Sequence, residues 1–380
     1  LSAGDHLLNI LAADTGGLLA QNVHAMLHSV DGDLVVQVVR NGGDDGINSA
    51  AGDHILPILE EGHIGVLLLA HLLLLGVDIT QSAQCAVVGA RCADHAGERA
   101  KRLKNKGCKI NDTVYHPEVW TPEEAHGVDF LIVSLKYGAL PGALDDITAV
   151  TGENTVIMSL MNGVDSEEII AEKAGAEHLL HAVIKVASHK ENDGYVFNPE
   201  ATLGIIFGEV SAPYDSERVQ AVLDLFSGTG LHYRATDCIL EEIWSKFRLN
   251  VCNNLPQAIL GAGVGCYRDS VHMKKISDKL KEELEAIALA KGIDMSKVEN
   301  TSTQRSAVPP SARYSTLQDL DAGRQTEIEM FSGALIRMGK ELGIPTPYNE
   351  YTYHMIKALE EKNEGVFDYR GGNEEPVMFK

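Results

Sequence analysis

Lys246, Asn250 and Asn254 follow one another at intervals of four in the segment Ile243-Trp244-Ser245-Lys246-Phe247-Arg248-Leu249-Asn250-Val251-Cys252-Asn253-Asn254-Leu255. On a helix that spacing puts one ammonium and two carboxamides in a single row. Trp244, Phe247, Val251 and Leu255 make their surroundings apolar, so the row has to be solvated, hydrogen-bonded or put to use. Put to use, it is a lysine that donates a proton beside amides that orient a small polar ligand. An exposed amphipathic face is the bland alternative.

Two further clusters have the right residue types. Ser315-Thr316-Leu317-Gln318-Asp319 leads to Gly323-Arg324-Gln325-Thr326-Glu327. Ser315 reads as a helix N-cap or as a hydroxyl for a ligand, and Glu327 lies about three turns further on if the helix is unbroken. In Leu160-Met161-Asn162-Gly163-Val164-Asp165-Ser166-Glu167-Glu168, Asn162 ends an apolar strand, where open α/β sheets bind ligands, and Asp165 or Ser166 can cap the helix that follows. Cysteines stand at 85, 92, 108, 238, 252 and 266; none forms a Cys-x-x-Cys pair and no His/Cys group has zinc spacing. Free thiols in a reducing cytosol are expected, and no metal.

A dinucleotide fold also needs glycines where its first strand meets its helix, so that backbone N–H groups can approach a pyrophosphate. Glu60-Glu61-Gly62-His63-Ile64-Gly65 is the best candidate, between a strand over 54–59 and a helix over 64–75. It supplies only the last two glycines of G-x-G-x-x-G, with the Glu60 carboxylate at the first position.

The elements that must position these residues fall into two styles. Val128–Leu135 is a continuous apolar run of strand length, as in a strand buried on both faces, and Thr155–Leu160 is another; Ser166–Ala174 between later strands is helical. Gly4–Leu11 is echoed by Gly52–Leu59, each followed by a glycine turn, a Leu/Ala-rich run and a second strand, Asp33–Arg40 and Val77–Thr80 respectively; that is a βαβ pattern met twice. From Ile239 onward long helical patterns dominate, over 239–260, 270–291, 316–342 and 347–362, broken at Pro309-Pro310. The fold class is α/β: an N-terminal Rossmann-like, mostly parallel sheet followed by a C-terminal all-helical domain. The expected division is a segment 1–53 that is either an extra βαβ unit on the sheet edge or a separate cap, a dinucleotide-binding domain 54–215, a helical catalytic domain 216–363, and a loose tail 364–380, with the active cleft between the two domains.

Composition bounds the function. The chain has 380 residues, 44% hydrophobic and 23% charged, enough to bury two ordinary cores. Its net charge of −22, from 54 acidic against 32 basic side chains, repels phosphate backbones, so nucleic acid is excluded as the expected partner. The longest apolar run, Ile64 to Val77, contains His71 and is too short to span a bilayer, and the chain does not open like a secretory signal. A cytoplasmic protein without a membrane partner is expected. Residues 1–100 contain no lysine, and the first aromatic is Tyr115.

Taken together, four motifs resemble the ketopantoate reductase (2-dehydropantoate 2-reductase) family: Lys136 in IVSLKYGAL, Asn162-Gly163 in SLMNGVDSEE, Trp244 to Asn254 in IWSKFRLNVCNN, and Ser315 to Glu327 in STLQDLDAGRQTE. The resemblance runs from about residue 54 to 363. It implies reduction of a 2-oxo acid with NADP(H), NAD(H) being the alternative cofactor. By resemblance, Lys246 is the general acid; Asn162, Asn250, Asn254 and Ser315 bind the substrate; Gly62, His63, Ile64, Gly65, Arg91, Lys136, Asn162 and Glu327 bind the cofactor. The substrate it implies is 2-dehydropantoate, with a D-2-hydroxyacid dehydrogenase acting on bulkier oxo acids as the close rival and a non-catalytic binding protein as the remote one. A homodimer is one arrangement its apolar helices allow.

Overall fold

The computed structural model describes strands β1 (Val35–Arg40), β2 (His54–Leu59) and β3 (Gln84–Gly89) and then residues 105–367, except 112, 117, 187, 192–193, 198–202, 212, 228–231 and 299–308. By packing, the chain falls into two compact units, Leu1–Phe247 with Gly292–Ser306 and Arg248–Lys291 with Ala307–Lys380. The division lies inside a helix and later in the chain than position 215.

The first unit is built on a six-stranded sheet. Its further strands are β6 (Glu118–Trp120), β7 (Val128–Ser134) and β8 (Thr151–Ser159), and its order is β6-β3-β2-β1-β7-β8. Strands β2, β3 and β6 pair in parallel, as do β7 and β8. Between these groups β1 runs antiparallel to both β2 and β7. Five strands therefore point one way, which is the mostly parallel sheet expected, with β1 at the point where the strand order reverses. This departs from an added βαβ unit at the sheet edge. Arg40 lies opposite His54, so the chain re-enters the sheet at the end it left, and an antiparallel neighbour needs no crossover to do so. The first strand of that repeat, within Gly4–Leu11, and the strand expected over Val77–Thr80 lie outside the described residues; β3 and β6 are strands of this sheet that the sequence reading did not place.

Strand β7 is almost wholly buried, as a run interrupted only by Asp129 and Ser134 requires. It is followed by a short 3₁₀ turn, Tyr137–Ala139, and helix α1 (Leu140–Val150), with Pro141 in the first turn, where its missing N–H is not needed. Helix α2 (Ser166–Ala174) follows β8. Val128, Leu131, Val133, Leu140, Ala143, Ile147, Ile157 and Ile170 form the shared core. Two small sheets complete the unit. One orders β10 (Ser188–Glu191), β11 (Gly194–Phe197), β4 (Cys108–Ile110) and β5 (Thr113–Tyr115); the other orders β13 (Tyr233–Ala235), β12 (Gly204–Gly208) and β9 (His181–Lys185). Helix α3 (Glu217–Phe226) ends in Phe226, which meets Phe130 of β7 and Phe207 of β12 edge to face at 6.0 and 6.1 Å.

Helix α4 (Ile239–Leu249) continues through a π-type turn, Asn250–Asn254, into α5 (Leu255–Leu260). The wide turn has a local cause. Pro256 has no N–H to give to the carbonyl four residues back, and its ring would collide with it. The chain widens just ahead of it, and the cap N–H of Leu255 bonds the carbonyl of Asn250. The second unit adds α6 (Val271–Ala290), capped by the Ser270 hydroxyl, then α7 (Ser315–Asp321), α8 (Ala334–Leu342) and α9 (Pro347–Asn363). The helix expected over 316–342 is broken. Gly323, at φ +67, follows the end of α7, and the Arg324 guanidinium folds back onto the Asp319 carboxylate at 2.9 Å. A second π-type turn, Glu329–Gly333, precedes α8 and packs against the first.

Candidate active site

Lys136 and Asn162 sit at the C-terminal edge of the large sheet. Val133 of β7 is registered with Ser159 of β8, and each of the two residues lies three positions beyond its member of that pair. Both are half-buried. Gly163, at φ +93, turns the chain after Asn162. Asp165 occupies the N-cap position of α2, but its side chain makes no capping bond; its Oδ2 accepts from the Tyr137 hydroxyl at 2.7 Å. Ser166 is spent as well, donating to Glu167 Oε2 at 2.7 Å. Burial pushes the Glu167 carboxyl up to about 7.

The α4 row is not an exposed face. Lys246 and Asn250 are half-buried, and Asn254 is only 2% exposed. Trp244 and Phe247 flank the lysine as buried rings in an edge-to-face pair 5.7 Å apart. One turn before Lys246, fully buried Glu242 takes one ion pair from Lys185 of β9 and another from Arg234 of β13, which fastens the first turn of α4 to the small sheet. Arg248, off the row, pairs with Glu285 at 3.2 Å.

Within the second unit, Asn254 reaches α7. Its Nδ2 donates to Ser315 Oγ at 3.0 Å, and its Oδ1 accepts from the Thr316 N–H at 3.2 Å. Ser315 is therefore not the N-cap: Tyr314 holds that position, and the Ser315 hydroxyl faces the asparagine. Gln257, fully buried and one turn beyond Asn254, does the same for the approach to α7. It donates to the Ala312 carbonyl at 3.0 Å and accepts from the Tyr314 N–H at 2.8 Å. Glu327 is half-buried but does not stand three turns into a helix; it lies in the bend between α7 and α8. Its neighbour Thr326 is held by N–H and hydroxyl bonds to Glu360, at 2.7 and 2.6 Å.

The structure thus brings together Lys136 with Asn162, Lys246 with Asn250 on one continuous helix, and Asn254 with Ser315. Gly62, His63, Ile64, Gly65 and Arg91 lie outside the described residues. Gln257, Glu242 and the Tyr137–Asp165 bond escaped the sequence reading. Gln257 carried a signal, a further amide on the same helix, whereas its partners 55 and 57 residues away did not. Among the described residues no cluster of His, Cys, Asp and Glu could hold a metal. Cys238, Cys252 and Cys266 are free, and burial pushes the Cys252 thiol up to about 12, far from a nucleophile. No helix among the described residues is long and apolar enough to cross a membrane.

For a dinucleotide, the described part of the sheet edge offers a suitable donor set: an ammonium for phosphate, a carboxamide for a nicotinamide or ribose, and a turn with positive φ that lets backbone approach closely.

Two family models match the chain. That for ketopantoate reductase PanE/ApbA covers residues 62–211, and that for the C-terminal part of the same family covers 238–360. Among curated relatives, the 2-dehydropantoate 2-reductase of Aquifex aeolicus is 27% identical over 61% of this chain and 76% of its own. That of Streptococcus pyogenes serotype M1 is 26% identical over 66% and 82%. Among solved structures, D-mandelate dehydrogenase in complex with NADH superposes with a TM-score of 0.62 at 21% identity, over 74% of this chain and 92% of the other. The PanE/ApbA family ketopantoate reductase of Ralstonia eutropha gives 0.59 at 20%, over 70% and 88%. The dimeric ketopantoate reductase of Staphylococcus aureus gives 0.56 at 18%, over 68% and 87%. With both halves of the family pattern found in order along one chain, the protein belongs to the ketopantoate reductase PanE/ApbA family, NAD(P)-dependent oxidoreductases that act on small 2-oxo acids.

Proposed function

We propose that this protein reduces 2-dehydropantoate to pantoate with NADPH and that Lys246 is its general acid. The observation that carries the reading is the α4 row: a half-buried lysine one helical turn from Asn250, on the helix whose continuation ties Asn254 to Ser315. Reduced nicotinamide, when bound, supplies the hydride. The remaining work falls to the chain. The Lys246 ammonium stabilises the charge that develops on the ketone oxygen and gives that oxygen its proton. Asn250 orients the substrate's polar groups. Ser315 binds its carboxylate or hydroxyl, and Asn254, with its carboxamide already engaged, acts on substrate through Ser315. Lys136, Asn162 and Glu327 bind the cofactor, together with Gly62, His63, Ile64, Gly65 and Arg91.

On this reading residues 54–215 are the dinucleotide-binding part and 216–363 the catalytic part of a cytoplasmic enzyme that works as a homodimer. A second reading keeps the chemistry and changes the substrate: an NAD-dependent D-2-hydroxyacid dehydrogenase for bulkier oxo acids. The superposition on D-mandelate dehydrogenase favours it. One assay separates the two, namely loss of reduced-nicotinamide absorbance with ketopantoate and with benzoylformate, each with NADPH and with NADH. Turnover with ketopantoate and NADPH is expected. Turnover only with benzoylformate and NADH would move the protein to the second reading, and no turnover in any arm would point to a binding protein.

A further inference from the structure

Behind Lys136 and Asn162 lie two hydrogen-bond systems that family membership does not explain. Asn162 sits in the loop 160–165, between the last residue of β8, Ser159, and the first of α2, Ser166, both buried. Ser166 Oγ donates its hydrogen to Glu167 Oε2. That fixes the sense of the 2.9 Å contact between the serines: Ser159 is the donor and Ser166 the acceptor. The Met161 N–H in turn donates to Ser159 Oγ at 3.4 Å. The result is a one-way chain, Met161 N–H to Ser159 to Ser166 to Glu167, that staples the two ends of the loop together. The second system joins neighbours. Tyr137, next to Lys136, donates to Asp165 at the far end of the Asn162 loop.

We propose that Tyr137, Ser159 and Ser166 are positioning residues that hold the Lys136 turn and the Asn162 loop in a single arrangement for the dinucleotide. The proposal rests on the reading that Lys136 and Asn162 bind the cofactor. A six-residue loop containing a glycine at positive φ has many conformations to lose on binding. Tying it down beforehand removes that cost from the binding step. The three hydroxyls act through Lys136 and Asn162, so their loss weakens nucleotide binding without removing a group from the chemistry.

The test is the Kd of the full-length protein for NADPH and for NADH, titrated by nicotinamide fluorescence, alongside Tm. Tyr137→Phe keeps the ring, and Ser166→Ala removes only an oxygen. Each is expected to raise Kd at least threefold while the protein stays folded, with a smaller fractional change in kcat at saturating nucleotide. Asp165→Asn keeps an acceptor for Tyr137 and is expected to hold Kd near wild type. If Tyr137→Phe and Ser166→Ala lower Tm but leave Kd unchanged, the hydroxyls are merely structural and the proposal is overturned. Lys136→Ala and Asn162→Ala identify the source of a failure. If these raise Kd and the hydroxyl variants do not, this proposal alone falls; if neither does, the placement of the cofactor falls and takes the proposal with it.

Discussion

The carboxamide of Asn254 bridges two consecutive residues of α7, donating to the Ser315 hydroxyl at 3.0 Å and accepting from the Thr316 N–H at 3.2 Å. A side chain of that length, 2% exposed, cannot meet both partners and also swing toward a ligand. Both ends of the carboxamide are thus engaged by α7. A double-mutant cycle over Asn254→Ala and Ser315→Ala, read by urea unfolding, is therefore expected to show a coupling of about 1 kcal/mol. Additive losses would mean that the contact contributes nothing.

If Lys246 is the general acid proposed above, its removal should act on turnover. Lys246→Ala is expected to lower kcat by a factor on the order of 10² to 10⁴, with a smaller change in substrate KM. Lys246→Arg restores a positive charge but not a readily released proton, because a guanidinium stays protonated. It should recover only part of the loss. Steady-state kinetics with saturating nucleotide checks both, and a Lys246→Ala enzyme with wild-type kcat would remove the residue from the mechanism.

What could be read in the sequence was what periodicity and local chemistry determine. The mostly apolar run from Val128 had to be a buried strand, and α2 runs over Ser166–Ala174 as its pattern requires. The row of Lys246, Asn250 and Asn254 was visible because four-residue spacing needs no knowledge of the fold. What stayed hidden depended on distant partners. Nothing local says that Ser315 would be engaged by an asparagine 61 residues earlier instead of capping its own helix. Nothing local places β1 inside the sheet, because strand order is set by the elements on either side. The break in the expected 316–342 helix was within reach: Gly323 followed by Arg324, within a turn of Asp319, is a helix stop closed by an ion pair.

Gln257 extends the same logic to stability. Both ends of its amide are used, on the Ala312 carbonyl and the Tyr314 N–H, and it is fully buried. Gln257→Leu matches its bulk but strands both backbone groups. A loss of about 2–4 kcal/mol is expected, from two buried polar groups left without partners. Gly263 guards the same segment from the other side, since a Cβ there would come within 2.2 Å of the Pro310 carbonyl oxygen. Gly263→Ala should be at least as damaging. Chemical denaturation of both variants checks this, and a tolerated Gly263→Ala would show that residues 309–314 can shift freely.

Glu167 gives the clearest pH signature. Its carboxyl is pushed up to about 7 by burial, against an ordinary value of 4.5, while the bond from Ser166 works the other way. The folded protein therefore keeps a proton that the unfolded chain has released, so stability falls as pH rises from about 4.5 to about 7 and levels off above that. His181 imposes the opposite slope. Burial lowers it from 6.5 to about 4, so stability falls as pH drops through that range. The difference between wild type and Glu167→Gln separates the two, because glutamine keeps an acceptor for Ser166 and has no proton to lose. The variant is expected to gain on wild type as pH rises across the window, by up to about 3 kcal/mol at pH 8. Tm measured from pH 5 to 8 reads the divergence directly. Parallel curves would place the titrating group elsewhere.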